Sequence, residues 1–115
     1  MHELTLVRNL VAKAIGIAEK QGITDIGFIE VEVGEVSGSD IEEIYECFDF
    51  LKGEILKISH TKMSVQSKKA RARCKRCGAE FGTEAGGQCP RCGSTDIELT
   101  SGEEARVVRV GRRVG

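Results

Sequence analysis

The sequence predicts an α+β fold, a small mixed three-stranded sheet with two helices and an inserted four-cysteine module. Three observations predict it. Apolar residues recur at helical spacing over residues 4–20 and again over 41–51. Between these stretches Ile29, Val31 and Val33 alternate with Glu30 and Glu32, a period of two. Later, four of the five cysteines form matching knuckles, Cys74-Lys75-Arg76-Cys77-Gly78 and Cys89-Pro90-Arg91-Cys92-Gly93.

Leu4, Val7, Leu10, Val11, Ala14, Ile15 and Ala18 make one stripe of a first amphipathic helix, and Gly22 fits its C-terminal stop. Residues 26–33 read as a half-buried strand, and Gly34 to Gly38 as a loop. A second helix starts near Ser39 or Asp40, each with a glutamate three residues on (Glu42, Glu43), which is capping-box spacing. Ile41, Ile44, Tyr45, Phe48 and Leu51 form its apolar stripe, and Gly53 ends or weakens it. Residues 54–59 show no clear period. Met63 and Val65 mark a second strand over about 61–67, and Ala105 to Val110 a last short one after the Ser101-Gly102 turn. Arg71, Arg73, Lys75 and Arg76 read as a stiff linker into the knuckles. The expected partition is a first domain over 1–69 and 103–115, with 70–102 as the insert.

A C-x-x-C turn points both sulfurs to one side. The glycine after it can take positive φ and bring backbone N–H groups toward a thiolate. Two such turns separated by eleven residues make a tetrahedral four-sulfur cage from Cys74, Cys77, Cys89 and Cys92, which suits Zn(II) best. The module is therefore expected to be zinc-ribbon-like. Two disulfides would need an oxidising compartment, and a redox site needs one pair rather than two symmetric ones. Tetrahedral iron also fits the spacing. Such iron proteins resemble the rubredoxins, which are short and rich in aromatics, whereas this chain has 4% aromatics. Apart from Phe81 the cage segment has few large apolar side chains, so the metal is expected to organise it.

The chain has 115 residues, is 40% apolar and 30% charged, and carries a formal charge of −1, so no global field draws nucleic acid or anionic lipid. Met1-His2-Glu3 lacks a secretory pattern, and no run approaches membrane-spanning length. With the thiol cage, these features give the expectation of a cytoplasmic protein without membrane contact.

The chain start offers a second donor set. The amine of Met1, the backbone nitrogen and Nδ1 of His2 and the amide nitrogen of Glu3 can close small chelate rings in one plane. Planar nitrogen sites favour Ni(II) or Cu(II). The amine titrates near pH ~8 and the imidazole near ~6.5, so affinity should fall with acid.

Several segments together resemble the hydrogenase nickel-insertion accessory proteins (the HypA/HybF family). They are Met1-His2-Glu3-Leu4 opening a helix, Val33-Gly34-Glu35-Val36-Ser37-Gly38 after a strand, Ala70-Arg71-Ala72-Arg73-Cys74 approaching the cage, and Cys92-Gly93-Ser94 with Ser101-Gly102 later. The resemblance runs end to end. It implies a non-enzymatic nickel metallochaperone, with nickel at the amine of Met1, His2 and Glu3 and structural zinc at the four cysteines. The implied partners are a GTPase of hydrogenase maturation and the large subunit of [NiFe]-hydrogenase; urease is a further client in some relatives. Many members carry a proline before the first knuckle where this chain has Lys68-Lys69, and the loop between the knuckles has none of the histidines found in some.

Asp40 is a candidate oxygen ligand for nickel and, by position, also a helix cap. Cys47 reads as a small buried hydrophobe on the second helix, and His60 as a surface polar residue. Six cations lie within Lys68–Arg76, which leaves a rival reading, a zinc-ribbon adaptor for nucleic acid or protein. The absence of an aromatic stacking platform weighs against nucleic acid. No nucleophile triad or phosphate-binding loop appears, so any GTP hydrolysis belongs to a partner.

Overall fold

The computed structural model describes residues 2–113, the side chain of His2 excepted. Helix α1 spans His2–Lys20 and presents Val7, Leu10, Val11, Ala14 and Ala18 to the interior, the stripe the sequence predicts. It begins two residues before the periodic pattern. A reversal through Gly22 at φ +70° leads into β1, Ile26–Gly34. Helix α2 spans Ile41–Glu54 and buries Ile44, Phe48 and Leu51. Gly53 does not stop it. A single 3-10 turn, Leu56–Ile58, fills the stretch that shows no period in the sequence.

Strand β2, Lys62–Lys68, runs parallel to β1 as the α2 crossover requires. Thr61, fully buried, donates its hydroxyl to the Ile26 carbonyl at 2.7 Å and pins the start of one strand to the start of the other. The chain then leaves this sheet and builds a second one. Strand β3 is Arg71–Cys74, β4 is Glu80–Gly82 and β5 is Ile97–Ser101. Last, β6, Ala105–Arg112, returns to pair antiparallel with β1. The first sheet is therefore mixed, in the order β2-β1-β6, and the second is antiparallel, in the order β4-β3-β5.

Both helices cover one face of the first sheet, α1 over β1 and β6 and α2 beside β2. Ile29, Val31 and Val33 point into that core, where each fully buried aliphatic side chain contributes about 1.5–3 kcal/mol. The opposite face is bare and mostly polar, with the Phe28 ring beneath Arg109. There Glu30 takes a bidentate contact from Arg109 at 2.9 and 3.0 Å, and Glu32 pairs with Arg106 at 3.0 Å.

Two sequence readings are corrected. Arg71 and Arg73 are not in a linker: they lie on β3, the central strand of the second sheet, with Ala72 and Cys74 facing its interior. Tyr45 does not belong to the buried stripe. It is half exposed, and its hydroxyl oxygen accepts the Val65 N–H at 2.8 Å on the outer edge of β2. That bond occupies a backbone donor which an edge strand would otherwise present to another chain.

Candidate metal centres

The second sheet holds the knuckles. Cys74 ends β3, so the first knuckle grows directly out of a strand, and the second leads by a short loop to β5. The two turns are near copies. Gly78 N–H donates to the Cys74 carbonyl and Gly93 N–H to the Cys89 carbonyl, each at 2.9 Å, with both glycines at φ +78°. That φ lies in the left-handed region, where a side chain is strained. The N–H groups that reach sulfur belong to other residues: Cys77 N–H points to Cys74 Sγ, and Cys92 and Arg91 N–H to Cys89 Sγ, all at 3.4 Å.

The four sulfurs lie within 4.8 Å of one another, and the Cys74–Cys92 and Cys77–Cys89 sulfurs are 3.6 Å apart. A disulfide would need about 2.0 Å, and all five cysteines are free thiols. Thiolates at about 2.3 Å around one zinc ion would sit about 3.8 Å apart, so donor set and spacing both fit a tetrahedral divalent ion. Charge crowding is visible in the thiols. Burial works to raise Cys89, but the N–H groups of Cys92 and Arg91 and the neighbouring thiols prevail and bring it down to about 6. Cys74 is also lowered, first by the Cys77 N–H. Cys92 is favoured by the Ser94 N–H, yet burial and contact with the other three thiols push it up to about 11. Four sulfurs this close cannot all ionise without a cation among them. The apolar support is slight: Ala72, Cys74, Phe81 and Cys89 are the buried members of the cluster.

The second donor set predicted from the sequence falls partly outside the described residues, which exclude Met1 and the side chain of His2. Glu3 is described. It sits in the first turn of α1, only 7% exposed, and its Oε1 accepts the Asp40 N–H at 3.2 Å. Asp40 is the N-cap of α2: its Oδ1 accepts the N–H groups of Glu42 at 3.0 Å and Glu43 at 3.4 Å. The structure thus brings Glu3 and Asp40 together at the joint between the two helices. Cys47 is half-buried at the core's rim; burial first, then the charges of Glu43 and Glu3, push its thiol up. His60 is exposed on the turn before β2. Sequence reasoning missed the Glu3–Asp40 contact, because residues 37 apart carry no mutual pattern.

The basic run is partly neutralised. Arg73 bonds Glu98 on the neighbouring β5, and Lys75 lies 4.0 Å from Asp96. Among the described residues no helix is long and apolar enough to cross a membrane.

Comparison with known proteins places this arrangement. Residues 1–111 match the family model described as "Hydrogenase/urease nickel incorporation, metallochaperone, hypA". The hydrogenase maturation factor HypA of Geotalea daltonii is 33% identical over 114 residues, covering 93% of this chain and 94% of that protein. The HypA of Chlorobaculum tepidum is 29% identical over 108 residues, covering 93% and 95%. The solution structure of the Ni metallochaperone HypA from Helicobacter pylori superposes with a TM-score of 0.78 over 98% of both chains, at 24% identity, and shares the fold. A second solution structure, of a HypA protein, gives 0.75 at 27% identity over 97% and 96% of the two chains. With a match along nearly its whole length, the chain belongs to the HypA family of nickel-incorporation metallochaperones.

Proposed function

We propose that the chain is a non-enzymatic nickel carrier for the maturation of [NiFe]-hydrogenase. Nickel is held at the chain start by Met1, His2 and Glu3, and zinc is held by Cys74, Cys77, Cys89 and Cys92 as a structural ion. Family membership supports the cargo and the process. The observation that carries the reading is the separation of the four-thiol cluster from Glu3. Four thiols are enclosed in one module, while Glu3 lies in the first turn of α1 on the other sheet. Sulfur cages favour zinc and nitrogen-rich planes favour nickel, so geometry sorts the two ions.

The four cysteines would supply the module with the crosslink that its small apolar cluster cannot. Asp40 adds the second oxygen of its carboxylate, Oδ2, as a candidate donor beside Glu3. Residues 1–69 with 103–115 then form the nickel domain and 70–102 the zinc domain, a partition supported by the membership of the two sheets. The partners in this reading are a maturation GTPase and the hydrogenase large subunit, in the cytoplasm, with urease a second client that the family description allows. The nucleic-acid adaptor reading loses support from the pairing of Arg73 with Glu98.

The experiment is a calorimetric titration of untagged protein with Ni(II), with zinc measured alongside. His2→Ala, or one residue added before Met1, is expected to abolish specific nickel binding and leave one zinc per chain. Unchanged nickel affinity in both variants would remove the chain start as the site.

A further inference from the structure

The chain passes between its two sheets twice, upward through Lys69 and Ala70 and back through Gly102 to Glu104. The two sheets share no strand, and the molecule is 53 Å long and 29 by 21 Å across, so this junction sets their relative orientation. A third stretch of chain lies in it. Gly34 N–H donates to the Glu104 carbonyl at 2.9 Å, Glu35 N–H to the Lys68 carbonyl at 2.9 Å, and Val36 N–H to the Gly102 carbonyl at 3.1 Å. The approach needs glycine on both sides. A Cβ on Gly34 would fall 1.9 Å from the Gly102 oxygen, and one on Gly102 would fall 2.5 Å from the Ala70 Cα.

These backbone bonds tie the crossings to the first sheet. One of them, from Val36, meets the cysteine module at its last residue, Gly102. The Glu35 side chain reaches further in. Its carboxylate accepts the N–H of Ala70, a fully buried residue at the threshold of β3, and the hydroxyl of Thr83 at 3.2 Å, in the turn that follows β4. One group thus holds the module at two separate points. Among the described residues, the side-chain hydrogen bonds across this junction are both made by Glu35.

We propose that Glu35 is a positioning residue, a latch that fixes the orientation of the cysteine module against the helix-covered sheet. The segment that begins at the latch ends at Asp40, whose N–H is held by Glu3. The knuckles are therefore set at a defined angle to Glu3 in the first turn of α1, and a partner touching both meets one rigid surface. Loss of the carboxylate leaves the module joined through the two crossings and the Val36–Gly102 backbone bond, and lets it reorient about them, with both metal sites intact. The inference concerns module geometry and stands whether or not the chain start takes nickel.

The test is residual dipolar coupling on isotopically labelled, zinc-loaded full-length protein. In the native chain the couplings of both sheets fit one alignment tensor. In Glu35→Ala the β3–β5 couplings shrink and require a tensor of their own, while zinc content stays at one per chain. Thr83→Val removes the more distant of the two bonds and gives a partial loss of the shared tensor. Glu35→Gln, whose amide oxygen still accepts from Ala70, restores much of it. A role confined to stability would lower Tm and leave the shared tensor intact, and that result in Glu35→Ala overturns the proposal. If Glu35→Ala does not fold, Thr83→Val carries the test, and an unchanged shared tensor there overturns it equally.

Discussion

Asp40 lends itself to a substitution pair that separates a structural role from a metal-binding one. It caps α2 with extended backbone, φ −93° and ψ 115°, and its Oδ1 accepts two N–H groups of the first turn. Asp40→Ala removes that acceptor, and loss of such a cap costs about 1 kcal/mol. For a chain of this size the corresponding fall in Tm is about 4 °C. The loss stays local, because the bond from Glu3 goes to the backbone N–H of residue 40 and survives the substitution. Asp40→Asn keeps an acceptor of equal rank as a cap and gives up only the attraction of a charge for the helix dipole. It should lie within about 0.5 kcal/mol of the native protein, or about 2 °C. The assay is thermal unfolding of zinc-loaded protein by far-UV circular dichroism at neutral pH, with a nickel titration of the same samples. Nickel affinity is expected to fall in both variants, since neither has a carboxylate to offer, while only Asp40→Ala loses stability. A Tm for Asp40→Asn as low as that of Asp40→Ala would refute the capping argument. Native nickel affinity in Asp40→Asn would strike Asp40 from the ligand set.

Cys89→Ser, or removal of the metal by a chelator, is expected to collapse the amide dispersion of β3–β5 while that of α1, α2 and β1 persists, because among the described residues Phe81 is the one large buried side chain in the second core, with Ile97 half-buried beside it. Heteronuclear NMR checks this, and dispersed β3–β5 signals in metal-free protein would contradict it. On the bare face of the first sheet Arg109 lowers the Glu30 carboxyl below its ordinary 4.5, chiefly through the side-chain hydrogen bond, with burial opposing and the charge of Arg109 adding. A lowered folded-state value means that the pair's stabilisation is fully present above 4.5 and is lost as pH falls through the folded value. Arg109→Ala should therefore flatten the acid limb of Tm against pH and leave the neutral limb parallel to the native curve; an unchanged acid limb would show that the pair contributes nothing.

What the sequence reveals follows how strongly each element is patterned. The helices α1 and α2 carry full apolar stripes, and β1 has three aliphatic residues in strict alternation, so each can be read locally. The knuckles are legible because cysteine spacing states the chemistry directly. The second sheet is not. In β3 the inward residues are Ala72 and Cys74, too small to register as an apolar period between arginines, and β4 is only three residues long, Glu80–Gly82. Tyr45 looks like a stripe residue because its spacing fits, but its hydroxyl finds a partner at the sheet edge. Glu35 and Glu3 act on residues 35 to 48 positions away. No local pattern encodes such contacts; they exist only after the strands are assembled.

The order β2-β1-β6 has a consequence for biosynthesis. The strand that closes the first sheet, Ala105–Arg112, is translated after every cysteine has appeared. Until it arrives, one margin of β1 has no neighbour. An ion caught early by the nascent thiols gathers the intervening chain and shortens the span that the final strand must cross. The supply of a thiol-binding ion during synthesis would then govern how long that margin stays exposed.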